Sequence, residues 1–155
     1  ANDLFQVTHA LAAVVDTQKL LQRGGEIVGV CRVRLELKDI TTELVPRAEL
    51  VGDPESGALH GGVLSSILDS TSSLAVMVKL GKLIRVTTLD LRVHHLVPVT
   101  SQAALQTRCI CQQITDDVAL VRGSTWQKNA EGEEIEVSNA SGTFLIVRAR
   151  SGVQG

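Results

Sequence analysis

The stretch 57-GALHGGVLSSILDSTSSLAVMVKLG-81 decides how this chain is read. From Val63 to Leu80 it is apolar or small around most of a helical wheel. Between Glu55 and Lys79 the only formal negative charge is Asp69. A carboxylate about two turns inside such a helix lies roughly ten ångströms from its start. It needs a partner, an open cleft or a proton. The run opens with His60, Gly61 and Gly62. A helix this apolar suits one wrapped by a curled sheet better than one lying on a surface.

The flanks supply that sheet. Downstream, strands are expected near 83–96, 102–114, 117–128 and 133–149. In the first, Leu89, Leu91 and Val93 alternate with Asp90, Arg92 and His94, the period of a half-buried strand. QITDDV (113–118) and KNAEGEE (128–134) read as hairpin turns. Upstream, EIVGVCRVRLELKD (26–39) alternates Ile27, Cys31, Val33, Leu35 and Leu37 with charged residues. ITTELVPRAEL (40–50) is expected to pair back on it, with Pro46 at an edge or bulge. Residues 3–22 read as an amphipathic helix capped by Asn2 or Asp3 and ended by Gly24 and Gly25. The order is helix, two strands, long helix, four strands. That is an α+β chain with an antiparallel sheet, one face of which must be covered.

Composition bounds the function. The 155 residues make one ordinary domain, 44% apolar and 21% charged, which excludes disorder. A net charge of −2 without a basic block, and 2% aromatic residues, argue against a nucleic-acid surface. Cys31, Cys109 and Cys111 are odd in number and lack zinc spacing, so reduced thiols and a cytoplasmic location are expected. The start of the chain lacks the basic region of a signal peptide, and no uninterrupted apolar run has the length of a membrane span.

Chemistry concentrates on the central helix. Gly61 and Gly62 leave first-turn N–H groups open, suited to a carbonyl oxygen that becomes an oxyanion, with His60 beside them. The alternative is that the glycines only permit close packing. Asp69 fits a nucleophile or general base; the alternatives are an arginine partner such as Arg92, or simple exposure at an interface. Ser72 and Ser73 lie three and four residues on, where either could orient a water or merely bond back to the helix. Thr88 precedes the LDLRVHHL strand and offers a further polar contact. Within one chain the Gly61 amide and Asp69 are too far apart to act on one small atom. Two such helices side by side and antiparallel would bring one glycine to the other's carboxylate. Other features are weaker: His94 and His95 point to opposite faces and complete no metal set, Cys109 and Cys111 read as core, the Gly-Lys of LGKLI lacks the rest of a phosphate loop, and Trp126 reads as core or interface.

DPESGALHGGVLSSILDSTSSLAV (53–76), TTLDLRVHHLVPV (87–99) and ASGTFLIV (140–147) together resemble the hotdog-fold acyl-CoA thioesterases of the PaaI-like, phenylacetate-pathway type, in the 4-hydroxybenzoyl-CoA thioesterase superfamily. The resemblance implies a hotdog domain over 25–150 preceded by the N-terminal helix of 1–24. It implies an obligate homodimer with paired central helices, often doubled to a homotetramer, and two sites at the subunit interface. By the same resemblance Asp69 is nucleophile or base, the Gly61 amide polarises the thioester carbonyl, His60 positions that region, and Thr88 helps place the attacking water. Gly62, Ser73, Asp53 and His95 are the expected substrate contacts. No metal or separate cofactor is implied, since coenzyme A belongs to the acyl-CoA substrate. Where many members carry an asparagine, this chain has Pro54 beside Asp53. Either Asp53 takes a related structural role or that function is absent. The rival readings are an acyl-CoA-binding hotdog module without turnover and, further off, a hotdog dehydratase.

Overall fold

The computed structural model describes the backbone of residues 30–35 and residues 39–148 in full. The expected N-terminal helix and the side chain of Cys31 lie outside the described residues. In chain order the elements are β1 (Val30–Leu35), β2 (Ile40–Val45), a 3-10 turn (Ala48–Leu50), β3 (Val51–Asp53), β4 (Ala58–Leu59), α1 (Gly61–Leu80), β5 (Arg85–His95), β6 (Leu105–Thr115), β7 (Val118–Lys128) and β8 (Glu134–Val147). Six strands form one antiparallel sheet in the order β1-β2-β6-β7-β8-β5, and β3 pairs with β4 in a small separate ribbon. The ribbon was not legible in the sequence, because strands of three and two residues are too short to show alternation.

α1 lies on one face of this sheet. It buries Val63, Leu64, Ile67, Leu68, Thr71, Ser72, Leu74, Ala75 and Val76. Strict alternation on β6 and β7 supplies the opposing surface, with Leu105, Thr107, Cys109 and Cys111 turned in from β6 and Ala119, Val121 and Thr125 from β7. Phe144 and Ile146 of β8 complete the packing around Leu68 and Val76. Ser138 Oγ and Asp39 Oδ1 are buried without a hydrogen-bond partner among the described residues, but four core threonines are paired, Thr42 with Thr71 at 2.8 Å and Thr107 with Thr125 at 2.9 Å. They therefore avoid the cost of unsatisfied burial. By length and hydropathy α1 is apolar enough to cross a membrane, but here one side of it is the core of the sheet. Cys109 and Cys111 sit in that core as expected, and burial pushes the Cys109 thiol up to about 12.

Gly123 of β7 lies in tight packing between its neighbour strand β6 and α1. A Cβ there would stand 2.5 Å from the Cys109 sulfur and 3.2 Å from Cδ2 of Leu68. The missing side chain is what lets α1 settle onto β7. Gly123→Ala is expected to lower the unfolding free energy by about 1–3 kcal/mol, the usual cost of overpacking a filled core. The midpoint of chemical denaturation measures it, and an unchanged midpoint would mean the contact is slack.

α1 ends at Gly81, whose φ of 63° is left-handed and whose N–H returns to the carbonyls of Met77 and Val78. The opposite side of the helix is only partly covered. Gly61, Gly62 and Ser66 are exposed, and Ser65, Asp69, Ser70, Ser73 and Met77 are half-buried.

Candidate active site

The helix start is built by His60. Its backbone is extended, at φ −63° and ψ 132°, and its Nδ1 accepts the Gly62 N–H at 3.0 Å. Its own N–H donates to the Leu50 carbonyl at 2.9 Å. Sequence reasoning left both glycine amides open. The structure corrects this, because the Gly62 donor is taken by the His60 cap. Among the described residues none accepts the Gly61 N–H. Sequence reasoning also missed Gly52, where a Cβ would stand 2.9 Å from Cα of His60. Only the pairing of β3 with β4 brings the two together, so no spacing in the sequence signals it.

Gly61 itself is not crowded. Among the described residues a Cβ on it would meet only the His95 ring, at 3.6 Å, which is ordinary contact, whereas a Cβ on Gly62 would stand 2.9 Å from Nδ1 of His60. The packing alternative therefore applies to Gly62, and no described contact requires it at Gly61. The first contact places His95 beside Gly61, while His94 turns to the far face of the sheet. The expected division of the two histidines between faces holds.

Asp69 sits eight residues along the helix from Gly61, about 12 Å at 1.5 Å per residue. Thr88 Oγ1 donates to its Oδ1 at 2.6 Å. Among the described residues no cation lies within 4.0 Å of it, so the Arg92 alternative fails. Simple alternation would turn Thr88 to the same side as Asp90 and Arg92. A bulge at Leu89 resets the phase between Thr88 and Asp90. Val86 packs inward before it, Leu91 and Val93 pack inward after it, and Leu89 itself is 55% exposed. The expectation that Leu89 shares a face with Leu91 is thus corrected, and the bulge is what aims Thr88 at Asp69.

The two serines separate. Ser72 is 2% exposed and its hydroxyl points at the Cys109 sulfur, 3.5 Å away, so it belongs to the core and not to the carboxylate. Ser73 is half-buried on the open side of the helix, four residues on from Asp69. Asp53 holds its own loop. Its carboxylate accepts the Ser56 hydroxyl and, at 3.1 Å, the Glu55 N–H, and its carbonyl accepts from Gly57 at 2.9 Å. The Ser56 hydroxyl first, then the Glu55 amide, holds its carboxyl below the ordinary value. That contribution to loop order is present above the usual carboxylate range and is lost as pH falls through the depressed value. Asp53 was expected to contact substrate, but both its oxygens already serve the turn. Of the two alternatives for this position, the structural role is the one the loop displays.

One chain therefore carries two separate polar clusters on the partly covered side of α1. His60, Gly61 and His95 gather at the helix start, and Asp69, Thr88 and Ser73 lie further along.

A sequence profile of the Thioesterase superfamily matches residues 56–133. A protein of Halobacterium salinarum, whose name marks it as a candidate esterase, is 30% identical over 97 residues. That match spans 61% of this chain and 64% of the relative's length. The PaaI protein of the E. coli phenylacetic acid degradation operon superposes with a TM-score of 0.71 at 12% identity, covering 96% of each chain. A hypothetical thioesterase of Streptococcus pneumoniae, solved with coenzyme A, superposes with a TM-score of 0.62 at 16% identity, over 78% of this chain and 88% of that one. At such identities the structures speak for the fold alone, which is the hotdog. The profile speaks for more, since it takes in α1 with both clusters and β5 to β7, half of the sequence: the chain belongs to the thioesterase superfamily.

Proposed function

We propose that the protein is an acyl-CoA thioesterase that converts an acyl-CoA and water to a carboxylic acid and coenzyme A. The observation that carries this reading is the pair of half-sites. A carboxylate held by Thr88, with no cation on it among the described residues, stands about 12 Å along one helix from an amide with no acceptor among them. Neither half can complete the reaction alone. Two α1 helices packed antiparallel through their uncovered sides would set Gly61 of one chain against Asp69 of the other. The active unit is therefore a dimer, and a tetramer would repeat it. A fully active monomer in light scattering would overturn this.

In such a site the thioester oxygen lies on the Gly61 N–H, at the positive end of the helix. Asp69 either takes a proton from water as it attacks the carbonyl carbon, or attacks directly to give an anhydride that water then opens. In the first route the C–S bond then breaks and Asp69 returns its proton to the thiolate; in the second the thiolate leaves as the anhydride forms, and the water that opens the anhydride supplies its proton. The neighbouring structure that holds coenzyme A supports this substrate class. His95, beside Gly61, is placed to contact the substrate near the carbonyl.

Thiol trapping over acyl-CoA esters of short, medium, long and aromatic acyl groups tests the reading. Release of free thiol is the expected result. Binding without release would point instead to a module that holds acyl-CoA without turnover. A finer test concerns Thr88. Its hydrogen bond to a charged partner is worth about 1.5–3 kcal/mol, so Thr88→Val is expected to lower kcat about tenfold or more. Thr88→Ser, which keeps the hydroxyl, is expected to retain most turnover. Equal rates for the two variants would remove Thr88 from the mechanism.

A further inference from the structure

The face of the sheet turned away from α1 carries a cavity of about 590 Å³, within the size range of small-molecule sites. Its floor is ordered by strand register. Ser141 of β8 stands opposite Arg122 of β7 in the lining, and Arg92 of β5, opposite Ser141 on its other side, lies on the same sheet face outside the lining itself. One step along, His94, Asn139, Ser124 and Arg108 form the next row. Beyond them lies Trp126, with Glu136 across from it. Arg108 is partly committed, since its guanidinium also binds Asp39, at 2.7 Å from Nε. Arg92 and Arg122 have no carboxylate within 4.0 Å among the described residues. Arg92, Arg108 and Arg122, set against Glu136 and the Asp39 carboxylate that Arg108 binds, leave this face one positive charge in excess in a chain of net charge −2. The thioesterase chemistry uses none of them, and the sheet separates them from Asp69.

We propose that this outer face binds a nucleoside phosphate. Arg122 and Trp126 are four residues apart on one strand, about 13 Å. A base, a pentose and a diphosphate span that length when extended. The phosphates meet the Arg92–Arg122 end, where guanidinium forks match their oxygens. The base meets the indole of Trp126. Asn139, Ser124 and Glu136 supply donors and acceptors between, for sugar hydroxyls and base edges. A second copy of the chain suits the patch less well. A two-fold contact centred on it would set the same arginines against one another.

Trp126 makes the test direct. It is the only tryptophan in a chain without tyrosine, so intrinsic fluorescence has one reporter, which lines this cavity and a smaller one of about 200 Å³ that Arg122 does not line. The probe is ADP added to the intact oligomer. The expected result is a saturable change in Trp126 emission, weakened about tenfold or more by Arg122→Gln. The exposed Arg122 side chain can be replaced without disturbing the core, and thioester turnover without ADP is expected to be unchanged in that variant. Displacement of ADP by coenzyme A would assign the site to the nucleotide portion of that thiol. Persistence of ADP would assign it to a free nucleotide. Either supports the proposal. It is overturned if emission shows no saturable change, if Arg122→Gln binds ADP as well as the parent, or if pyrophosphate alone binds as tightly as ADP. A smaller assembly for Arg122→Gln in sedimentation would also overturn it, since the face would then be an interface between copies.

Discussion

Asp69→Asn is expected to leave a folded, normally assembled protein with turnover of acyl-CoA lowered by about 10²–10⁴-fold, the usual contribution of a general base, and further if Asp69 is the nucleophile. Asparagine has nearly the shape of aspartate, and its side-chain oxygen can still accept the Thr88 hydroxyl that now holds Oδ1. Among the described residues no cation would be stranded by the lost charge, because none pairs with it. The substitution therefore removes charge and basicity while leaving the geometry in place. Circular dichroism and light scattering should match wild type, and kcat should carry the loss. Near-normal turnover by the folded variant would remove Asp69 from the chemistry.

The second large effect is recovery between two inactive parents. If each site draws Gly61 from one chain and Asp69 from the other, Asp69→Asn chains mixed with Gly61→Val chains regain activity. A mixed dimer has one site with both defects and one with neither. Random mixing at equal amounts makes about half the dimers mixed, which gives about a quarter of wild-type activity when chains exchange and sites act independently. The Gly61→Val parent should fold, since among the described residues a Cβ at Gly61 meets only the His95 ring, at 3.6 Å, and its backbone is helical. Its bulk would obstruct what approaches from outside the chain. Differential tagging isolates the mixed species. Mixed dimers no more active than either parent would show that the two half-sites are not joined across subunits.

The contrast between Ser72 and Thr88 shows where reading the chain stops. Both are hydroxyl residues near the carboxylate by one argument or another. Ser72 lies three residues from Asp69 on the same helix, yet it faces Cys109 in the core. The two directions differ by most of a right angle around the helix, and the sheet decides which of them is inside. Thr88 is nineteen residues from Asp69 and on the wrong parity of its strand, yet it makes the hydrogen bond. The reversal comes from one bulged residue, which no local pattern announces.

What the sequence determined by itself is what local periodicity and side-chain inventory can encode. The long apolar helix with its single carboxylate, the His-Gly-Gly start and the alternating strands on either side specify a helix laid on an antiparallel sheet. The matching motifs specify the family. Tertiary structure decided which polar groups meet. It gave the Gly62 amide to His60, kept Asp53 for its own loop, placed His95 beside Gly61, and turned Arg92 to the outer face with Arg122. Each of these depends on register or on the rotation of one element against another. Register is set by the summed burial of many side chains across the sheet, so no single stretch of the chain carries it.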